Sequence, residues 1–275
     1  MDSNEKKIKA TGDLAFKKVF GMESAGTKKI VTGLIKDFFD ITPKEVTIVN
    51  PYDIRAYTNL SKKVSEKNIK ILRETLADVR AKLEVGDFIA EMQVIKTTSF
   101  EPRSIYYLCS RFTDNYMPGS EKYKSLCPIY SLNILDYKYF DDETAVRTFK
   151  LLDVKTHEPL KTDYLTIMYF ELCKNEVYNK HQEYWLKYFR GDELPEDAPE
   201  YIKEAEEVIR IANLGKEEID VLDYLEKHDA DKEGQIEAAV QDRNIEVAKA
   251  MKENGAEISF IVRCTGLSEE EVAAL

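Results

Sequence analysis

The sequence predicts an α/β (α+β) fold in which helices flank a mixed sheet and a helical C-terminal extension follows. Three observations predict it. Between residues 76 and 94, two segments alternate apolar and polar residues around a turn at Glu84–Asp87, as the strands of a β-hairpin do. The apolar run Pro128–Leu135 is typical of a central strand. Segments with the 3.6-residue spacing of helices lie on both sides of these strands.

Residue spacing predicts the other elements in chain order. Helices are expected at Asp13–Phe20, Lys28–Phe39 and Glu101–Tyr116, and strands at Thr148–Val154 and Leu165–Leu172. The segment Val46–Leu60 is strand-like but irregular. Helix, hairpin, helix and further strands form an order that places helices against a mixed sheet.

Proline, glycine and acidic residues at Arg190–Pro199 predict a linker, which divides the chain into a core domain, 1–190, and an acidic helical C-terminal region, 191–275. From Arg190 onward there are 10 Lys and Arg against 24 Asp and Glu, whereas the preceding part has 30 against 27. The acidity of the chain, with a net charge of −11, therefore belongs to this region. Its expected helices are Tyr201–Ile211, Lys216–Leu225 and Gln235–Glu253, followed by a helix-turn-helix-like motif after Gly255.

Composition excludes several classes of protein. The four cysteines are far apart, which argues against a zinc knuckle or a disulfide framework. The first eleven residues are charged, and no run of about 18 apolar residues occurs. We therefore expect a cytoplasmic protein with reduced thiols and no membrane partner.

The hairpin gathers polar side chains on one face. Alternation places Asp78, Arg80 and Lys82 on the face that also carries Glu91 and Gln93. A symmetric turn would set Asp78 opposite Gln93 and Arg80 opposite Glu91, so that the two carboxylates are diagonal neighbours. Two carboxylates at this spacing suit Mg²⁺, which takes oxygen ligands and keeps several waters.

Such a site matches phosphodiester cleavage. A carboxylate-held Mg²⁺ activates water and stabilises the leaving oxygen, while Gln93 can orient the attacking water. Arg80 and Lys82, on the same face, are candidates to stabilise the charge that develops on the phosphate. The alternative is a solvated hairpin face on which Arg80 pairs with Glu91 at little energetic gain.

Several segments together resemble a known family, the recombination-promoting nuclease (transposase-like) group of the PD-(D/E)XK nuclease superfamily. The resemblance lies in Asp13–Gly21, Asp78–Ala81, Glu91–Val94, Arg103–Arg111, Pro128–Leu132, Phe170–Leu172 and Gly255–Leu275. It implies a restriction-endonuclease-like core and Mg²⁺-dependent DNA cleavage, with Mn²⁺ as a substitute, linked to recombination or mobile elements. It also implies that Asp78 and Glu91 are metal ligands.

Gln93 stands where the superfamily usually has lysine, although the nearer relatives resemble this chain in having glutamine. Three explanations are open. Lys82 or Lys96 could supply the amine, Gln93 could suffice, or this copy could be catalytically weak. We favour the second.

Other residues are candidates for accessory roles. Asp13 and Lys17 lie one turn apart where related nucleases place an accessory acid, and the alternative is an N-cap with a solvated lysine. Arg103, Tyr107 and Arg111 repeat every four residues and form either a DNA-phosphate surface or a face that packs on the hairpin. The three histidines lack zinc-site spacing and receive no role, and Trp185 is expected in the core.

The sequence thus favours a metal-dependent endodeoxyribonuclease with DNA as its partner. A nuclease fold kept as an inactive DNA-binding or protein-interaction module is the alternative, and an RNA nuclease is a third. A homodimer that pairs two sites is left open. The acidic residues of the closing motif, Glu257 and Glu269–Glu271, favour a packing or protein-contact role over DNA binding.

Overall fold

A computed structural model describes residues 7–49, 51–52, 78–117 and 123–275. The helices are α1 (Asp13–Gly21), α2 (Ala25–Phe39), α3 (Phe100–Asp114), α4 (Lys180–Arg190), α5 (Glu200–Val208), α6 (Lys216–Glu253), α7 (Ile258–Thr265) and α8 (Glu269–Ala274). The strands are β1 (Val46–Ile48), β2 (Asp78–Leu83), β3 (Gly86–Gln93), β4 (Ile129–Leu135), β5 (Val146–Lys150) and β6 (Leu165–Glu171). The strand-like stretch expected at Val46–Leu60 begins as β1, and most of its remainder lies outside the described residues.

The six described strands form one mixed sheet in the order β1-β2-β3-β4-β6-β5. The neighbours β3, β4 and β6 run parallel, whereas β1, β2 and β5 join antiparallel to their partners. The expected mixed sheet with flanking helices is confirmed. β4 occupies a central position, as its apolar sequence predicted.

The register of the β2–β3 hairpin differs from the predicted one by two residues. Asp78 lies opposite Glu91, whereas the sequence analysis placed Gln93 there. The turn is also shorter than predicted, because Leu83 already pairs with Gly86 and only two residues lie between them. A two-residue shift keeps every side chain on its face, so apolar alternation could not distinguish the two registers. The turn decides between them.

Helices cover both faces of the sheet. On one face, aromatic rings of α2 pack against aromatic rings of the strands. The ring centroid of Phe38 lies 5.0 Å from that of Phe170 of β6, and the ring centroid of Phe39 lies 6.0 Å from that of Phe88 of β3. On the other face, Phe100 and Leu108 of α3 are buried in a cluster that also contains Ile89, Ile129, Leu135, Ile167 and Tyr169. The polar face of the hairpin therefore lies on the α3 side.

The chain divides into two compact units between Ile219 and Asp220, which is later than the boundary expected at residue 190. Helix α5 explains the difference, because its apolar side packs within the first unit and Ile202 and Ala205 are fully buried. A Cβ atom added at Gly33 of α2 would lie 2.4 Å from the Tyr201 ring, so the two helices approach closely. Trp185 is also fully buried, as expected.

In the second unit, described by itself, the closing motif packs into a core, which was one of the two roles predicted for it. Ala248, Ile261, Leu267 and Val272 form a small buried core. Ser268 and Glu271 form a capping box at the start of α8. The two helices expected at Lys216–Leu225 and Gln235–Glu253 are a single helix, α6, and the segment between them contains Gly234 but no proline to interrupt the helix.

None of the helices, within the described ranges, combines the length and apolar character needed to cross a membrane.

Candidate active site

Strand register places a row of polar residues on the α3 side of the sheet. Asp78 of β2 is opposite Glu91 of β3, and Glu91 is level with Asn133 of β4. Directly opposed residues of an antiparallel pair have Cβ atoms about 5 Å apart and share a face. Asp78 and Glu91 are therefore directly opposed in register, whereas the predicted arrangement was diagonal.

Glu91 lies in a nearly closed environment, since the residue is 7% exposed. Gln93 Nε2 donates a hydrogen bond to Glu91 Oε1 over 2.7 Å, and Arg103 donates to Gln93 Oε1 over 2.5 Å. The same guanidinium is 3.7 Å from Glu91 Oε1. The structure thus brings Arg103, for which a DNA-phosphate surface and a face packed on the hairpin were the two open predictions, against two of the predicted site residues.

Two tyrosines lie near enough to Glu91 to interact with it electrostatically. Burial raises the pKa of Tyr137 to about 12. The charge of Arg103 acts to lower this pKa, and the charge of Glu91 acts to raise it further. Burial also raises the pKa of Tyr169, whose hydroxyl lies 3.0 Å from Ser104 Oγ. Both phenols are accordingly neutral at physiological pH, and the tyrosines add no charge beside Glu91.

Asn133 is a site residue that the sequence analysis did not name. Its Nδ2 donates to Ser131 Oγ and to the backbone oxygen of Met168, while its Oδ1 is buried without a hydrogen-bond partner among the described residues. The available signal was one amide within the apolar strand Ile129–Leu135.

Three buried polar atoms that lack a hydrogen-bond partner in the described structure belong to residues that interact with Glu91 or are level with it in register. Besides Asn133 Oδ1, they include Arg103 Nε and Tyr137 Oη, again among the described atoms. Because buried polar groups in folded proteins nearly always have partners, these atoms are candidates to bind water, an ion or a ligand.

The donor set fits a hard divalent cation. The described part of the chain contains no group of three or more His, Cys, Asp or Glu side chains suited to a metal. The candidate ligands are instead the carboxylate of Glu91, the opposed residue Asp78 and the unpartnered amide oxygen of Asn133. Oxygen donors of this kind suit Mg²⁺ or Mn²⁺ and do not suit a thiolate-bound metal.

The segment that precedes α1 contacts the residue that follows β4, next to the end of β3 at Gln93. Lys9 Nζ is 2.8 Å from Asp136, whose backbone N–H donates to the backbone oxygen of Gln93. Asp13 follows as the first residue of α1, and the N-cap is Gly12. Lys17 is 1% exposed, so the alternative of an Asp13 cap with a solvated lysine is wrong.

The remaining basic candidates lie elsewhere on the hairpin. Arg80 is opposite Ile89 and not Glu91, and Lys82 is opposite Asp87 near the turn. With Arg111 they line a groove of about 210 Å³. Lys82 is four residues along β2 from Asp78, a distance of about 13 Å in a strand.

The three residues that were expected to form one face of α3 lie in a single helix but have different surroundings. Arg103 contacts Gln93, Tyr107 is 43% exposed, and Arg111 pairs with Asp114 at 2.7 Å. Lys96, an alternative source of an amine, donates to the backbone oxygen of Lys138.

His181, which received no role, is a half-exposed member of a structural network around the buried Asp37 carboxylate. Its Nδ1 lies 2.7 Å from Asp37, which also accepts hydrogen bonds from Trp185 Nε1 and the Tyr201 hydroxyl. These contacts join α2, α4 and α5.

Comparison with known proteins agrees with the resemblance seen in the sequence. Residues 10–239 match the family described as PD-(D/E)XK nuclease family transposase. No curated protein and no solved structure matches the chain. The family match covers most of the chain and agrees with a mixed sheet that carries opposed acidic residues on its β-hairpin. The chain therefore belongs to the PD-(D/E)XK nuclease family transposases and has their restriction-endonuclease-like α/β fold.

Proposed function

We propose that the protein is a metal-dependent DNA endonuclease that hydrolyses phosphodiester bonds in recombination or the movement of genetic elements. The observation that carries the proposal is the register of Asp78 opposite Glu91, with Gln93 bonded to Glu91, in a chain of a nuclease family. Asp78 and Glu91 would hold the metal, with Asn133 Oδ1 as a further oxygen donor.

The side chains around Glu91 have separable roles. Mg²⁺, or Mn²⁺ in its place, would lower the pKa of bound water and neutralise charge on the scissile phosphate. Gln93 retains a second Nε2 proton and a second Oε1 lone pair, with which it orients the attacking water. The neutral amide does this without placing another charge beside Glu91.

The basic residues near the hairpin turn supply a surface for the polymer. Arg80, Lys82 and Arg111 line one groove together with Asp87 and Asp114. Positive side chains along such a groove position phosphates without reading bases. We assign DNA as the substrate on the family's description as nuclease and transposase.

Nicking of supercoiled plasmid tests the proposal. Purified wild type is compared with Asp78→Asn and Glu91→Gln in Mg²⁺, Mn²⁺ or EDTA, and Glu183→Gln, an exposed acid paired with Lys187, serves as the control. We expect metal-dependent nicking by wild type and control, and its loss in both site variants. Equal nicking by all four proteins would contradict the assignment.

Two further arms address the alternatives. Matched DNA and RNA strands are incubated side by side, and cleavage of RNA alone would overturn the substrate assignment. Binding to DNA without cleavage in any metal would instead identify an inactive DNA-binding module.

A further inference from the structure

Helix α3 brings a cation to the buried carboxylate. Arg103, in the first turn of α3, lies 3.7 Å from Glu91 Oε1, and the side chain of Glu91 is only 10% exposed. A carboxylate removed from water needs nearby positive charge or hydrogen-bond donors. Arg103 supplies the charge, and Gln93 supplies a donor.

Hydrogen-bond chemistry determines the orientation of the Gln93 amide. A guanidinium only donates and an ionised carboxylate only accepts. Because Gln93 lies between Arg103 and Glu91, its Oε1 must face the arginine and its Nε2 must face the glutamate. Arg103 therefore selects one of the two amide orientations.

The lysines considered as a source of this charge are placed elsewhere. Lys82 lies near the hairpin turn opposite Asp87, and the Lys96 amine contacts the backbone oxygen of Lys138 and the ring of Tyr139. Among the contacts that the structure describes, the positive charge beside Glu91 is that of Arg103 on α3.

We propose that Arg103 is a positioning residue of the active site, which fixes the Gln93 amide and offsets the charge of Glu91. This inference rests on the proposed nuclease function and assigns Arg103 to the chemical step and not to DNA affinity. The two roles differ measurably, because a phosphate contact contributes to the salt dependence of DNA binding and a positioning contact does not.

Single-turnover cleavage and metal-free DNA binding distinguish these roles in Arg103→Gln. We expect the cleavage rate to fall about 10- to 100-fold, as for other residues that orient a metal ligand, with unchanged DNA affinity and salt dependence. Arg263→Gln, an exposed arginine outside the family match, is the control. A cleavage rate like that of wild type, combined with weaker binding and a salt slope reduced by about one, would overturn the proposal.

Two readouts separate positioning from loss of structure. Low-millimolar guanidinium, compared with equal sodium chloride, should restore cleavage to Arg103→Ala, whereas Arg103→Lys should remain impaired because lysine lacks the planar fork.

The NMR signals of the Gln93 side-chain NH₂, assigned with Gln93→Ala, should change in Arg103→Gln. Unchanged signals would overturn the positioning role. If the wild type does not cleave DNA but the Gln93 signals still change in Arg103→Gln, the nuclease proposal is refuted. The positioning of Gln93 by Arg103 is then retained.

Discussion

Gln93 lies between Glu91 and Arg103, donating to Glu91 Oε1 over 2.7 Å and accepting from Arg103 over 2.5 Å. Each partner is charged, and Glu91 is almost entirely buried. A neutral amide thus joins a carboxylate of the hairpin to a cation of α3, and several tests follow from this arrangement.

A double-mutant cycle measures the link between Gln93 and Arg103. Gln93→Leu removes one hydrogen-bond donor from a buried carboxylate, so we expect a loss of about 1–3 kcal/mol in the free energy of unfolding. Because the residues are in contact, Gln93→Leu and Arg103→Leu should be non-additive by about 0.5–3 kcal/mol in urea unfolding. Additive losses would show that the contact contributes no coupling energy.

Asn133→Leu tests the unpartnered oxygen beside Glu91. The change removes Oδ1, and we expect Mn²⁺ affinity, measured by calorimetry, to fall about tenfold if this oxygen helps to hold the ion. Thr166→Val is the matched control, because it removes another buried oxygen without a hydrogen-bond partner in the described structure. Wild-type affinity in Asn133→Leu would exclude the amide from the metal site.

Gly86→Ala tests the hairpin register that opposes Asp78 and Glu91. Gly86 has φ of 150°, and an added Cβ atom would lie 2.3 Å from the Pro128 backbone oxygen. We expect a loss of at least about 1–3 kcal/mol in the free energy of unfolding. Gly26→Ala, in the open first turn of α2, should instead be neutral or stabilise the protein by up to about 1 kcal/mol. Similar effects of the two substitutions would argue against the tight turn.

Glu218 makes stability depend on pH. Burial alone would raise its pKa, but hydrogen bonds from Lys18, the Gly215 N–H and Tyr52 lower the pKa below its usual value. A lowered folded-state pKa stabilises the protein above the unfolded value of about 4.3, and this contribution disappears as pH falls through the folded pKa.

Glu218→Gln should therefore lose stability at neutral pH and show a smaller further loss upon acidification. Urea unfolding at neutral and acidic pH measures both effects, with the exposed neighbour Glu217→Gln as the control. A wild-type pH dependence in Glu218→Gln would contradict this account.

The hairpin shows what sequence alone could and could not predict. Its period of two fixed which side chains share a face, and the polar face with Asp78, Glu91 and Gln93 followed directly. The register depended on the turn, and a shift by two residues leaves the faces unchanged. The direct opposition of Asp78 and Glu91 therefore required the structure.

Contacts between distant elements were also beyond sequence periodicity. The spacing of Arg103, Tyr107 and Arg111 predicted a shared helix face but not that Arg103 alone reaches Gln93. Asn133 was hidden in an apolar strand, where its role depends on the neighbouring strand. Helix α5 packed within the first unit because its own apolar face covers α2, a pairing that the composition of the linker could not indicate.

Calorimetric titration of Mn²⁺ into the wild type, Asp78→Asn and Glu91→Gln tests the central claim most directly, namely that these two opposed acids hold a divalent metal. We predict binding by the folded wild type and its loss in both variants, whose far-ultraviolet circular dichroism should match the wild type. Wild-type Mn²⁺ affinity in both variants would contradict the claim.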